Sequence, residues 1–314
     1  MNWYAYLAFP LIGFIGMLCG GFWSVGCGWL IVPTMLIFGF GPLEAVGAAL
    51  CQMVLSTAPT VLKEIKKTSW EKHSVMRTLA LPMAIGVILT AFSGRLINTY
   101  LNERFGSLAL LCLFVFVMTF IGIKSVFGKT AQNQTQLPNI KTAHSIIALF
   151  CGMIVGVISS VLGISGALIF RPVLINGFKV PEKYATQATR FLLLTASFTG
   201  AMFYMFASGE FQQNILFLGL LIALGGAFGF PLGVKYGTIV LKNGYVKVLQ
   251  KSFGSIILII ITNSLLNLAG FVTFSRYLMI ICALLLFITI NVFSFYTTKH
   301  PRSLLENKQG GTHN

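Results

Sequence analysis

The sequence predicts an all-α integral membrane protein of two inverted repeats, each a broken, hairpin-forming helix plus three transmembrane helices, with one extra C-terminal helix. Three observations predict it. First, 56% of the 314 residues are hydrophobic and only 9% are charged, with a mean hydropathy of +0.85; an ordinary soluble domain is about 25% charged. Second, Gly13, Pro33, Pro42, Gly86 and Gly94 each meet an identical residue 139 positions later, at Gly152, Pro172, Pro181, Gly225 and Gly233. Third, the corresponding loops of the two halves carry opposite charge. Loop 63–77 holds Lys63, Lys66, Lys67, Lys72 and Arg77, whereas its counterpart 208–212 holds only Glu210. The next pair reverses: 95–104 has Arg95 and Arg104 offset by Glu103, whereas 235–251 has Lys235, Lys242, Lys247 and Lys251. Basic loops stay cytoplasmic, so equivalent loops lie on opposite sides of the membrane.

Taken in order, apolar segments run at 5–22, 28–40, 43–62, 75–94, 105–127, 143–161, 166–176, 184–207, 213–234, 252–270 and 277–297. A span needs about 20 mostly apolar residues, so 28–40 and 166–176 are half-helices. Each returns its chain to the side from which the preceding helix came. The first repeat then occupies residues 1–128, a polar connector 129–142 (with Gln132-Asn-Gln-Thr-Gln-Leu-Pro138), the second repeat 143–270, the extra helix 271–298 and a polar tail 299–314. The N-terminus, which lacks the positive stretch of a cleavable signal peptide, lies outside, and the C-terminus is cytoplasmic. All of the 22 Lys and Arg then fall on the cytoplasmic side except Arg95, Arg104 and Arg276 outside and Arg190 within a helix.

The candidate site follows from the two breaks. Ser24-Val-Gly-Cys-Gly28 precedes Pro33, and Gly163-Ile-Ser-Gly-Ala167 precedes Pro172. Small residues interrupt helices and admit close approach; inside a membrane such breaks must be buried in protein or line a cavity. Inverted hairpins bring these tips together near the midplane across a dry pocket. The half-helix N-termini there, with free N–H groups and partial positive charge, suit an anion. Ser24, Gly26, Cys27 and Gly28 of one tip and Gly163, Ser165 and Gly166 of the other are the candidate substrate-binding residues, with Gln52, Gln187 and Arg190 from the helices that follow. The competing reading is that the small residues only permit tight helix crossing. Arg190, the one cation set well inside an apolar segment, either serves the site or reaches the cytoplasmic headgroups. Arg171 reads as an interfacial anchor or a cytoplasmic entry charge.

Other chemistries are excluded by composition. The chain has no Asp and only seven acidic residues, with no Glu at mid-membrane to relay protons. There is no HExxH, GxSxG or P-loop pattern, so no enzyme is expected. The six cysteines lie in apolar stretches without CxxC spacing, which gives neither disulfides nor a metal site. No cofactor, metal or nucleic acid is called for; the partners are a small anionic substrate and the lipid bilayer. A passive anion channel, or a membrane protein acting in assembly of another complex, remains the alternative.

These residues resemble the sulfite exporter TauE/SafE family, whose members carry a glycine-rich motif before a short apolar run and a proline near the start of each half. Here the pattern is Ser24-Val-Gly-Cys-Gly with Pro33, and Gly163-Ile-Ser-Gly-Ala with Pro172. The helix starts Pro42-Leu-Glu-Ala45 and Pro181-Glu-Lys-Tyr-Ala185, and the glycine pairs Gly86/Gly94 and Gly225/Gly233, complete it. The chain departs from the family's glycines at Ser24, Cys27, Ser165 and Ala167. The resemblance covers about residues 7–270. It implies outward movement of sulfite, a sulfonate or a related small anion across a bacterial inner membrane.

Overall fold

In a computed structural model, residues 4–68, 70–71, 74–127, 142–206 and 211–300 are described. They form helices and no strand. The first hairpin is α1 (Tyr4–Trp23) followed by the ten-residue α2 (Gly28–Ile37). Then come α3 (Pro42–Ile65), α4 (Leu81–Phe105), which a π-helical turn at Met76–Ala80 precedes, and α5 (Ser107–Phe127). The second half repeats this order. It contains α6 (Thr142–Leu162), the six-residue α7 (Ala167–Pro172) continued by a π turn at Val173–Gly177, α8 (Glu182–Phe206), α9 (Gln213–Lys242) and α10 (Val246–Leu268). A last helix, α11 (Val272–Lys299), has no counterpart.

Local chemistry sets these boundaries. Pro42 starts α3 at the position where a missing N–H costs nothing, and the Glu44 carboxylate accepts the Gly41 N–H at 3.3 Å. Gly106, with φ of 63°, ends α4, a conformation only glycine adopts without penalty. Among the described residues, seven helices are long and apolar enough to cross a membrane. They include α6 but not α8, whose Glu182, Lys183 and Arg190 and several threonines lower its hydropathy. A helix enclosed by other helices has no need of a lipophilic surface. Large apolar side chains such as Phe116, Phe127, Phe228 and Val292 stand exposed on α5, α9 and α11, as the lipid-facing surface of a membrane protein should.

The core depends on glycine-mediated helix contacts. The helices α1 and α9 run parallel: Gly225 lies against Pro10 and Phe14, Gly229 against Phe14 and Leu18, and Gly233 against Leu18 and Phe22. The same arrangement joins α6 to α4, with Gly86 against Leu149 and Met153 and Gly94 against Val157 and Val161. Each contact in the second set lies 139 positions from one in the first. A Cβ on Gly86 would sit 2.7 Å from the Met153 nitrogen, and one on Gly225 2.8 Å from the Phe14 nitrogen. These backbones touch, and only glycine fits. By contrast α3 and α8 run antiparallel, since Leu50 meets Gly200 while Glu64 meets Arg190.

The first hairpin closes on itself. Gly16 faces Ile31, and the rings of Phe9 and Phe40 lie 5.6 Å apart, so α2 brings the chain back to the level where α1 began. Nine of the ten α2 residues are buried. That satisfies the requirement that interrupted helices at membrane depth be enclosed by protein.

Several sequence expectations need correction. The segment 95–104 is helical to Phe105 rather than a loop, and 235–251 is helical except at 243–245. Arg104, Lys242 and Lys247 therefore mark helix ends, whereas Arg95 and Lys235 lie inside α4 and α9. Arg95 is only 9% exposed. The connector 129–142, apart from the first residue of α6, the tail beyond His300, and Lys72 and Glu210 lie outside the described residues.

Candidate functional site

Both breaks adopt left-handed backbone at equivalent places. Ser24 (φ 56°) and Gly26 (φ 75°) open the first turn; Gly163 (φ 69°) and Ser165 (φ 55°), each 139 positions later, open the second, with Gly166 (φ 69°) following. A serine at positive φ is uncommon and costs of order 1–3 kcal/mol, so Ser24 and Ser165 are held there by their surroundings. In the first turn the Val25 N–H bonds to the Gly20 carbonyl, and the ladder resumes only where Leu30 and Ile31 donate to Cys27. In the second, the Gly163 N–H bonds to Ser159 and the ladder resumes at Ile169 and Phe170. Between these points the amides of 26–29 and of 164–168 take no part in the backbone ladder.

The turns meet. A Cβ on Gly28 would lie 2.9 Å from both the Gly163 carbonyl carbon and the Ile164 Cα, and nearer still to the Gly163 carbonyl oxygen. One on Gly26 would lie 2.9 Å from the Ser165 Oγ. The sequence reading placed a dry pocket between the tips; here they are in contact, and Gly28 faces a carbonyl rather than an opposing amide. The Ser165 side chain is fully buried and its hydroxyl has no hydrogen-bond partner. Leu193 of α8 packs on Gly26. One turn to either side of it, Thr189 and Ser197 are likewise fully buried with unpartnered hydroxyls.

The flanking residues divide. Gln52 lies behind the first tip and donates to the Cys27 sulfur at 2.6 Å, while Cys27 donates to the Met17 sulfur at 2.9 Å. Its amide oxygen accepts from Ser56 at 3.3 Å, and Gly226 leaves the space for it, since a Cβ there would sit 3.1 Å away. Gln52 thus braces the tip. Gln187 is half-buried on α8, and among the described residues no hydrogen bond joins it to either tip. Trp29, fully buried, pins the turn from inside by donating its indole N–H to the Gly26 carbonyl at 2.8 Å.

Arg190 does not reach for headgroups. It is 6% exposed, donates to the Ser24 hydroxyl at 3.0 Å and pairs with Glu64 of α3. Arg171 pairs with Glu182 and donates to the Trp23 carbonyl, tying the second hairpin to the first. Two Arg–Glu pairs therefore cover the first tip on the side where the ends of α3, α5, α9 and α11 carry Lys63, Lys124, Lys242 and Lys299. Sequence reasoning missed Glu64 and Glu182 as partners. The available signal was the rarity of acidic residues, because a buried arginine needs a counter-charge. No cluster that could hold a metal ion occurs among the described residues.

With this geometry in hand, comparison with known proteins is specific. Residues 9–264 match the sulfite exporter TauE/SafE family. A probable membrane transporter protein of Methanocaldococcus jannaschii is 24% identical over 239 residues, covering 72% of this chain and 84% of that one. No solved structure matches. The chain is a multi-pass membrane protein of the transporter class and belongs to the sulfite exporter TauE/SafE family.

Proposed function

We propose that this protein exports a small anion, sulfite or an organosulfonate or related sulfur-containing anion, by alternating access around the contact between its two tips. The observation that carries the reading is the Ser165 hydroxyl, fully buried and unpartnered where the tips meet, beside two turns whose amides lie outside the backbone ladder. Unpaired buried donors cost about 1–3 kcal/mol each. Donors gathered in one place are repaid when an anion arrives, and backbone amides need no charged side chain to bind one. Ser24, Gly26, Gly28, Ser165 and Gly166 would present the donors, Gln52 would brace Cys27, and Arg190 would supply the nearest positive charge. Gln187, half-buried on α8, would add its side-chain amide to the shell.

The two halves, 1–128 and 143–270, are read as inverted copies, with 271–298 as an added helix. Support comes from α3 and α8, which are 139 positions apart yet run antiparallel, and from the reciprocal pairing of α1 with α9 and α6 with α4. The positive-inside rule then puts the Lys-rich helix ends in the cytoplasm of a bacterial cell, the N-terminus outside and the C-terminus inside.

The conformation described is the closed one. Gly28 has no room even for a methyl group, so an anion enters only when the halves part. Cytoplasmic opening would release Arg171 from Trp23 and Arg190 from Ser24, freeing two cations to draw the anion in. An inside-negative potential then favours its exit by about 2.3 kcal/mol per charge per 100 mV. Anion counterflow in proteoliposomes, with sulfite, sulfonates, thiosulfate and small carboxylates, tests the reading. Gly26→Leu and Gly166→Leu should abolish flux while membrane insertion persists; wild-type flux in both would refute the tip assignment. Flux that neither saturates nor shows trans-stimulation would indicate a channel.

A further inference from the structure

The arginines next to the two turns are not treated alike. On the Lys-rich side, Arg171 and Arg190 each have a glutamate, and these are the two ion pairs among the described residues. On the opposite side Arg95 has none among the described residues. It is 9% exposed, its Nε has no hydrogen-bond partner, and its guanidinium lies 5.9 Å from the centre of the Tyr204 ring.

The groups around Arg95 are held in place and only partly satisfied. Asn98, one turn further along α4, donates its amide N–H to the Val161 carbonyl at 2.7 Å, and its amide oxygen is unpartnered. Tyr204 donates its hydroxyl to the Ser160 carbonyl at 2.9 Å. The Ser160 hydroxyl, 2% exposed, has no partner. Val161 and Ser160 form the last turn of α6, immediately before Gly163 and the second tip. The cluster therefore abuts that tip, and it lies towards the Phe105 end of α4, away from the Lys-rich helix ends.

An arginine set this deep, its Nε buried and unpartnered and with no counter-charge among the described residues, is costly, and in a membrane protein such a group is a candidate for an ion pathway. A tyrosine face offsets part of the cost, but it leaves the in-plane N–H donors open. We propose that Arg95, with the Ser160 hydroxyl, forms a second anion site on the non-cytoplasmic side of the tips, taking one oxyanion group of the sulfonate, sulfite or carboxylate class. The planar donor fork of arginine matches two oxygens of such a group, and Ser160 donates to a third or shared oxygen. The unpartnered Asn98 oxygen accepts a proton carried by the ligand, favouring a singly charged, protonated or hydroxylated anion over sulfate. The site goes beyond the tip reading and stands without it, because its donors are separate from those of the turns.

The test uses the full chain in lipid nanodiscs and in oriented proteoliposomes, with sulfite and methanesulfonate as probes. Arg95→Gln should raise the half-saturating concentration from the non-cytoplasmic side by about tenfold or more, as for loss of a charged hydrogen bond. Arg95→Lys should raise it less, and half-saturation from the Lys-rich side should stay within about twofold of wild type, by the same reasoning. Unchanged half-saturation from the non-cytoplasmic side in Arg95→Gln overturns the proposal. Should no anion be transported at all, which would sink the tip reading, calorimetric titration with sulfite decides alone. A wild-type signal lost in Arg95→Gln but kept in Gly166→Leu supports the site; identical isotherms for wild type and Arg95→Gln, or no binding by wild type at tens of millimolar sulfite, refute it. If Arg95→Gln fails to fold, Ser160→Ala takes its place, and an affinity equal to wild type counts against the proposal.

Discussion

Replacing Gly28 by alanine tests the tip contact most directly. The added Cβ would stand 2.9 Å from two backbone carbons of the second turn, Gly163 C and Ile164 Cα, whereas carbon atoms in contact rest at about 3.5–4.0 Å. Neither neighbour is a side chain that can rotate away, so the turns must separate by roughly 0.6–1.1 Å to relieve these two contacts, and further to clear the Gly163 carbonyl oxygen, which lies nearer still. Overpacking of this kind costs about 1–3 kcal/mol, and an ångström of misplacement at a reacting or binding centre can cost about 100-fold in rate. Thermal unfolding in detergent should therefore fall, and anion counterflow should drop further than stability alone explains. Gly177→Ala is the control: nothing lies within 4 Å of a Cβ there, and both readouts should match wild type. A Gly28→Ala protein with normal stability and normal flux would show that the turns do not touch in the membrane, and the account of the site would fail.

Two further predictions follow from the same geometry. Breaking one partner of a buried ion pair costs about 3–5 kcal/mol, but the Glu64 side chain is 28% exposed against 7% for Arg190; solvent screening lowers the expected loss to about 1–3 kcal/mol for Arg190→Gln or Glu64→Gln. The double variant should be less destabilised than the sum, with a coupling of about 1 kcal/mol or more in a double-mutant cycle; strict additivity would mean the pair does not form. For orientation, reporter fusions after Lys67 and after Glu210 should land on opposite sides of the membrane, and the same side for both would contradict the inverted arrangement.

Much of the architecture was legible from residue order. Helix interruptions at 24–28 and 163–167, the shortness of the helices after them and the 139-residue repeat are properties of local composition, and they reappear as turns at the expected positions. Gly86, Gly94, Gly225 and Gly233 were readable as packing residues because a glycine inside an apolar helix has few other uses. The bounds of the polar helices were less legible: Arg95 and Lys235 lie within helices although their charges suggested loops.

What the sequence determined on its own is an all-helical membrane protein with two broken segments, because hydropathy and helix breakers act along the chain. Only the tertiary structure decided that the turns touch, that Gln52 holds Cys27, and that Arg190 finds Glu64. It also decided that Arg95 is buried without a carboxylate among the described residues. The reason is physical. Whether a buried charge is paired depends on which helices lie side by side, and that is fixed by close backbone packing between segments more than a hundred residues apart rather than by any local pattern.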